Sequence, residues 1–451
     1  MLFCVYVSKM SEKIKILKGF SKKSPEEKLL LAAGLCADPD AAAVELRSFH
    51  HQNKDIQKIL SGISENTISN YPLPYNIAPN FLINGQVYIV PMVIEESSVV
   101  AAASAAARFW AGRGGFRAKT GKLIKKGQLH FLYAGDRNKL KGAMPSIVSH
   151  LKQSTRTLTQ NMERRGGGVA SVELNDRQNL LDNYFQLDVR FDTRDAMGAN
   201  FINSVLEEYA VALETFFNQK EGFDERDFEP LMAILTNYND ECLVEVSVSC
   251  DVDALGDAAG TVSADDFLRR FVMAVNIAES DVYRAATHNK GIMNGVDAVI
   301  LATGNDFRAI EAGAHAWAAR SGQYRSLSKV NLTGKQFTFS LEMPMALGTT
   351  GGLTHLHPLA ARSLEILGNP DARTLMMIAG AAGLANNFAA LRSLVTTGIQ
   401  TGHMRMHLSN ILLQLKASPG ETAHVESHFA NKKVSYQAVA RYLEKLRKHA
   451  T

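Results

Sequence analysis

Apolar and polar positions alternate along this chain with two periods, and the switches between them mark out the elements. Ser24-Pro25-Glu26-Glu27 has the signature of a helix start, and Leu29–Leu35 continues its apolar face, so a small helical N-terminal region is expected. Tyr71-Pro72-Leu73-Pro74-Tyr75 must be extended, because two prolines forbid helix. Asn84-Gly85 between Asn80–Ile83 and Val87–Val90 predicts a hairpin. Its second strand runs through Pro91–Ile94 into Glu95-Glu96, and Ser97-Ser98 opens an alanine-rich helix that ends near Gly112–Gly115. Gly127–Ala134 alternates as a strand, Lys141–Met162 reads as a helix, Gly166–Gly168 as a turn, and Tyr184–Asp192 as another strand. Asp195-Ala196-Met197-Gly198-Ala199-Asn200 then leads into a helix through Glu214.

In the second half, Cys242–Cys250 alternates as a half-buried strand, and a helix Phe307–Arg320 and a hairpin about Gly334 follow. Next come the glycine-rich Gly348–Gly352 and a long, small-residue helix Thr374–Thr397. Gly398–Met404 places His403 between flexible joints, and Tyr436–Lys448 is a helical tail. One stretch has neither period. Ala285–Gly295, which contains Thr287-His288-Asn289-Lys290-Gly291, reads as a loop held by the scaffold.

Length and composition narrow the class. A chain of 451 residues exceeds one ordinary core, so two or three domains are expected, and 46% hydrophobic with 21% charged residues is an ordinary globular balance. No uninterrupted apolar run approaches the roughly 18 residues of a membrane span, which points to a cytoplasmic protein with no membrane partner. Cys4, Cys36, Cys242 and Cys250 form no CxxC pair and have no histidine at metal-ligand spacing, so neither a disulfide framework nor a metal site is expected. Met1–Lys9 lacks the features of a signal peptide, and Met10 is the expected start. The net charge of +4 is concentrated: from Arg108 to Arg165 there are fourteen Lys/Arg against Asp136 and Glu163. Such a tract suits an anionic partner, either nucleic acid or a phosphorylated small molecule, or else a solvated basic face.

Candidate chemistry centres on Lys290. An ammonium in a dry site can neutralise an oxygen that becomes negative during reaction, and Asp306 can fix that ammonium or simply cap the helix that starts at Phe307. Glu95 and Glu96 at a strand-to-helix corner either favour the helix N-terminus or take part in chemistry. Gly198 would let backbone N–H groups approach an anion, but the chain has no GxGxxG, which argues against a Rossmann domain.

Glu65-Asn66, Val93-Ile94-Glu95-Glu96-Ser97-Ser98, Asp195–Asn200, Thr287–Gly291, Thr303-Gly304-Asn305-Asp306 and Gly402-His403-Met404 occur in an order that resembles the soluble bacterial (class II) hydroxymethylglutaryl-CoA reductases. The resemblance covers nearly the whole chain after Met10. It implies an α+β fold with a large mixed helix/sheet domain, 10–122 and 229–398. A small non-Rossmann dinucleotide-binding domain, 123–228, is inserted in it, and a C-terminal helical flap, 399–451, follows. It implies reduction of hydroxymethylglutaryl-CoA to mevalonate and CoA by two NAD(P)H, or the reverse.

Under that resemblance Lys290 stabilises the oxyanion, Glu96 donates the proton, and Asp306 completes a coupled cluster with them. His403 protonates the CoA thiolate, a transfer from an imidazolium near about 6.5 to a thiol near about 8.5. Ser98 and Arg284 grip the substrate hydroxyl and carboxylate, and Asn294 supports the lysine network. Asp195, Ala196, Met197, Gly198, Ala199 and Asn200 line the dinucleotide, whose phosphates account for the basic tract. The resemblance also suggests a homodimer, or an assembly of dimers, with shared active sites.

The chain departs from the pattern at three places. NAD-specific relatives carry an acid shortly before the triple glycine; here that place is about Thr159, with Arg156, Arg164 and Arg165 around it, which favours NADPH over NADH. The contact to CoA phosphates aligns loosely with Ser21, where Lys22 or Lys23 could take over. Ser69 replaces a usual glycine. Rival readings are a nucleic-acid binder, a catalytically silent dinucleotide-binding relative, and an acyl-CoA hydrolase with His403 as base.

Overall fold

The computed structural model describes residues 16–260, 262–396, 408–430, 432 and 434–449. Met10 and the joint containing His403 lie outside the described residues. Two compact units divide at Leu73/Pro74.

The first unit is helical, with α1 (Pro25–Ala33), α2 (Pro39–Ser48) and α3 (Lys54–Ser61). Ser24, Asp38 and Asn53 cap them, Ser24 in a reciprocal capping box with Glu27. Leu29, Ala33 and Ala43 form its small core. Ser69 takes an ordinary backbone conformation and donates to Leu46 O at 2.7 Å, while the left-handed residue nearby is Asn66.

The second unit opens with the expected hairpin, β1 (Tyr75–Ile83) and β2 (Gln86–Val93), closed by Asn84 and Gly85, both at positive φ. Then α4 (Val99–Ala111) runs to β3 (Arg117–Thr120). The chain next builds a second antiparallel sheet from β4 (Ile124–Tyr133), β5 (Gly168–Asp176), β6 (Tyr184–Asp192) and β7 (Phe228–Leu235), in the order β5-β6-β4-β7. Helices α5 (Arg137–Ser154), α6 (Arg156–Arg164) and α7 (Ala199–Gln219) belong to it. The single helix expected over Lys141–Met162 breaks at Thr155, whose hydroxyl bonds back to Leu151 O and whose backbone leaves the helical region. Leu129, Phe131, Tyr133, Phe185, Val189, Tyr209 and Phe217 close this core, which continues to Phe228.

Returning, the chain forms β8 (Leu243–Asp251), α8 (Ala264–Ser280), α9 (Val282–Ala302), α10 (Phe307–Ala318), β9 (Ser328–Thr333) and β10 (Gln336–Pro344). The third sheet has the order β3-β8-β10-β9. Its inward positions on β8 are Val244, Val246, Val248 and Cys250, and Cys242 just before the strand is buried in the same alternation, as predicted. Two short helices, α11 (Leu353–Leu356) and α12 (Pro358–Ile366), precede α13 (Ala372–Val395). This last helix is long and apolar enough to cross a bilayer, but 78% of its most apolar window is buried inside the protein. It is the core helix, packed against α4, α9 and β8. At its crossing with α9 a Cβ on Gly295 would stand 2.3 Å from Ala382 O, so only glycine permits that approach. Beyond the described gap, helices Pro419–Phe429 and Tyr436–His449 share a small apolar core with Leu408, Ile411 and Leu412. The architecture is α+β.

The structure corrects the reading of Ala285–Gly295. This stretch is the middle of α9, a 21-residue helix, and not a loop. His288 and Asn289 broke the apparent period because they point inward, and polar partners satisfy them there. Asn289 bonds Arg325 O and Leu327 N, both at 2.9 Å, and His288 bonds Ser328 Oγ at 2.6 Å.

Candidate active site

The corner after β2 delivers Glu96 and Ser98 to the start of α4. Ser98 sits at φ 75°, a left-handed conformation rare for serine, and its side chain does not cap the helix. The first-turn N–H groups of α4 therefore have no side-chain cap, at the end of the helix dipole that favours an anion.

From α9, Arg284, Thr287, Lys290 and Asn294 project toward that corner, Lys290 and Asn294 one turn apart on one face. Asn386 and Asn387 come from α13. Together these residues enclose a cavity of about 350 Å³. Lys290 Nζ donates to Glu96 Oε2 in an ion pair that stays accessible, with 60% and 38% of the two side chains exposed. Burial holds the Arg284 guanidinium below its ordinary pKa, so a bound carboxylate would offset an existing desolvation.

His288 is fully buried in the wall of this cavity. Burial first, then the Arg284 charge, lowers its pKa to about 3, so the imidazole is neutral. The Ser328 hydroxyl donates a hydrogen bond to Asn387 Oδ1 at 2.8 Å, which makes Ser328 Oγ the acceptor for His288 Nε2–H. His288 Nδ1 is then a buried lone pair without a partner among the described residues.

Asp306 takes the capping role. Its Oδ1 accepts from Arg308 N and Ala309 N at the start of α10, and its ion pair is with Arg308 at 3.5 Å. Among the described residues, its recorded bonds do not include Glu96 or Lys290. A carboxyl well above its ordinary range belongs to Asp297, two turns beyond Lys290 on α9. Burial first, then the nearby Glu311 and Glu95, push its carboxyl up to about 8.

A second centre forms where three loops meet. Gly348 N donates to Asn305 Oδ1 at 2.9 Å, while Thr349 N and Thr350 N both donate to Asp195 O, at 2.7 and 3.1 Å. Asp195 Oδ1 accepts from Ala372 N, the first residue of α13, at 2.9 Å. A Cβ on Gly348 would lie 2.3 Å from Met197 N, so glycine is required for this seam. Asp195, Thr349 and Thr350 line a cavity of about 410 Å³ with His355, Asn369 and Asp371. Ala196, Met197, Gly198 and Ala199 are partly exposed, and Gly198 begins α7 without a side-chain cap. Small residues at an open helix N-terminus fit a phosphorylated dinucleotide.

The basic tract is less free than its composition suggested. Lys119, Lys122, Lys126, Arg137 and Lys141 pair with Glu245, Glu241, Asp240 and Asp176. Arg156, Arg164 and Arg165 are exposed along and just after α6 and make no ion pair among the described residues. Thr159 is 3% exposed and faces inward, so it cannot occupy the position of a ribose-binding acid. Glu163 instead lies over the triple glycine, its Cγ 3.0 Å from where a Cβ on Gly168 would be.

The structure thus gathers Glu96, Ser98, Arg284, Lys290 and Asn294 round one cavity and places Asp195–Asn200 at a separate seam next to the Asp306 loop. The glycine-rich Thr349-Thr350 and the buried His288 went unassigned in the sequence, although both stand inside motifs that the sequence displays.

The hydroxymethylglutaryl-coenzyme A reductase family model matches residues 33–408. The 3-hydroxy-3-methylglutaryl-coenzyme A reductase of Archaeoglobus fulgidus is 35% identical over 433 residues, covering 96% of this chain and 94% of that protein. The class II 3-hydroxy-3-methylglutaryl-CoA reductase of Streptococcus pneumoniae bound to NADPH in open conformations superposes with TM-score 0.68 at 38% identity, covering 84% of this chain and 99% of that one. A second structure of the Streptococcus pneumoniae enzyme, also at TM-score 0.68, is 35% identical and covers 95% and 99%.

Proposed function

The chain belongs to the hydroxymethylglutaryl-coenzyme A reductase family, and on that premise we propose that it reduces hydroxymethylglutaryl-CoA to mevalonate and CoA at the cavity between α4, α9 and α13. The observation that carries this reading is the accessible Lys290–Glu96 ion pair in a cavity that also holds Arg284 and the open N-terminus of α4. Arg284 takes the substrate's free carboxylate, Ser98 its hydroxyl, and Asn294 supports Lys290. A bound reduced nicotinamide supplies the hydride, twice per turnover. Each addition leaves an oxyanion on the former carbonyl, where Lys290 neutralises the charge and Glu96, which must enter the step protonated rather than as the carboxylate that accepts from Lys290 here, delivers a proton. His403 protonates the departing thiolate, and Asp306 acts from the adjoining loop.

Asp195–Asn200 seat the dinucleotide, with Arg156 on α6 contributing positive charge. The arginines of α6 favour NADPH, and the Streptococcus pneumoniae relative is described with NADPH bound. The working assembly is a cytoplasmic homodimer; the ribbon β1–β2 leaves Ile77, Val87 and Ile89 about half exposed, which suits a protein interface.

The test is an assay with hydroxymethylglutaryl-CoA and each reduced dinucleotide, following nicotinamide absorbance and free thiol together. The expected result is two dinucleotides oxidised per CoA released, faster with NADPH. Thiol release without a change in nicotinamide absorbance would identify a hydrolase instead.

A further inference from the structure

We propose that Lys125 is a positioning residue for the reaction: its buried ammonium holds the 193–198 loop against Leu347 and so fixes the seat of the dinucleotide. The proposal rests on the reading of Asp195–Asn200 as the dinucleotide loop.

Lys125 is 2% exposed. It lies on β4 at an inward position, in the same alternation as Leu129, Phe131 and Tyr133, where an apolar side chain is the rule. Its Nζ donates to Thr193 Oγ1 at 2.6 Å, to Ala196 O at 2.5 Å and to Leu347 O at 3.4 Å. Three donors thus meet three acceptors, and all three acceptors are neutral. Burial pulls its pKa down, and Asp192 and Asp195 act on it only through space. A buried cation without an ion-pair partner is costly for a fold, and a neutral side chain would avoid that cost. What the ammonium supplies in return is position.

Two of its acceptors belong to opposite sides of the seam. Ala196 is in the 193–198 loop and Leu347 precedes the glycine-rich loop, and the two loops meet again where Ala196 bridges Thr350. Thr193 closes the arrangement, its hydroxyl donating to Ala196 O at 2.7 Å. Asp195, Thr349 and Thr350, the residues next to these anchors, line the 410 Å³ cavity. Lys125 itself does not line that cavity, so it acts through the wall that its acceptors belong to. A shift of about 1 Å in such a wall misaligns a reacting group enough to lower a rate by about a hundredfold.

The test is Lys125→Met in the full-length protein, with fluorescence titration of NADPH and NADH, calorimetric titration of hydroxymethylglutaryl-CoA, and single-turnover hydride transfer. The expected result is a dinucleotide affinity at least about tenfold weaker and a slower hydride step, with thioester affinity kept within about twofold. A folded Lys125→Met protein with unchanged dinucleotide affinity and hydride rate would overturn the proposal.

If Lys125→Met does not fold, Thr193→Val removes one acceptor at nearly constant volume, and Thr193→Ser keeps it. Weakened dinucleotide binding in the valine variant but not in the serine variant supports the anchoring of the loop by the Lys125–Thr193–Ala196 cluster; equal affinity in both overturns it. Asn200→Trp, an exposed substitution at the mouth of the loop, separates the premise from the proposal. Loss of affinity in Asn200→Trp but not in Lys125→Met leaves the loop reading standing and removes Lys125 from it. Full affinity in both removes the premise as well.

Discussion

At the scale of single residues, charge placement decides what the cavity can do. Lys290 and Glu96 are paired yet accessible, so the ammonium is available to a substrate oxygen without first being dragged from a buried partner. Replacing Lys290 with alanine should lower kcat/KM for the thioester by about a hundredfold or more, while dinucleotide affinity stays near its original value; steady-state kinetics with a dinucleotide titration checks both. Asp297 carries a different consequence. Burial first, then the neighbouring carboxylates, push its carboxyl up to about 8 in the folded protein from an ordinary value of 3.8. Between those values the unfolded chain has released the proton while the folded protein keeps it, so this residue makes stability fall as pH rises through that window. Asp297→Asn keeps a hydrogen-bond donor toward Glu311 without the titration. It should raise Tm clearly at about pH 8.5 and only slightly at about pH 5, as thermal melts at the two pH values would show.

At the scale of elements, α9 shows how a helix can be hidden from its own sequence. Thr287-His288-Asn289-Lys290-Gly291 lacks an apolar period, yet His288 and Asn289 are inward residues whose partners, Ser328, Arg325 O and Leu327 N, lie some forty positions downstream. The period exists, but polar groups that only the folded chain can satisfy write part of it. The glycines are likewise unequal in a way composition conceals. Gly295 meets the backbone of α13, so Gly295→Ala should cost roughly 1–3 kcal/mol through overpacking. Gly142, in the interior of α5, has open space where a Cβ would go, and Gly142→Ala should stabilise by roughly 0.5–1 kcal/mol. Denaturant melts of the two variants should move in opposite directions.

At the scale of the whole molecule, separate apolar clusters organise the second unit, one built on β4–β7 and one on the β3-β8-β10-β9 sheet with α13. The exposed apolar face of β1–β2 bears on assembly: sedimentation should find a homodimer, and Val87→Glu with Ile89→Lys should shift it toward monomer. The hairpin at Asn84-Gly85, the strands read at Tyr184–Asp192 and Cys242–Cys250 and the helix start at Ser24 were all legible in order along the chain, because turn chemistry, alternation and capping act over a few neighbouring residues. The motifs that hold Glu96, Lys290 and Asp195–Asn200 were legible for the same reason: each is contiguous. Lys125 was in principle readable, since extending the alternation of β4 four residues back from Leu129 places it inward. What it bonds was not readable, because Thr193, Ala196 and Leu347 are brought to it by pairing across β6 and by the approach of Gly348 to Met197. Sequence alone thus determined which chemical groups this protein possesses and most of its local elements. Only the tertiary structure decided which of those groups meet, that Lys290 rides on a helix, and that Asp306 caps one, because hydrogen bonding and desolvation depend on distance in space and the chain's order does not fix that distance.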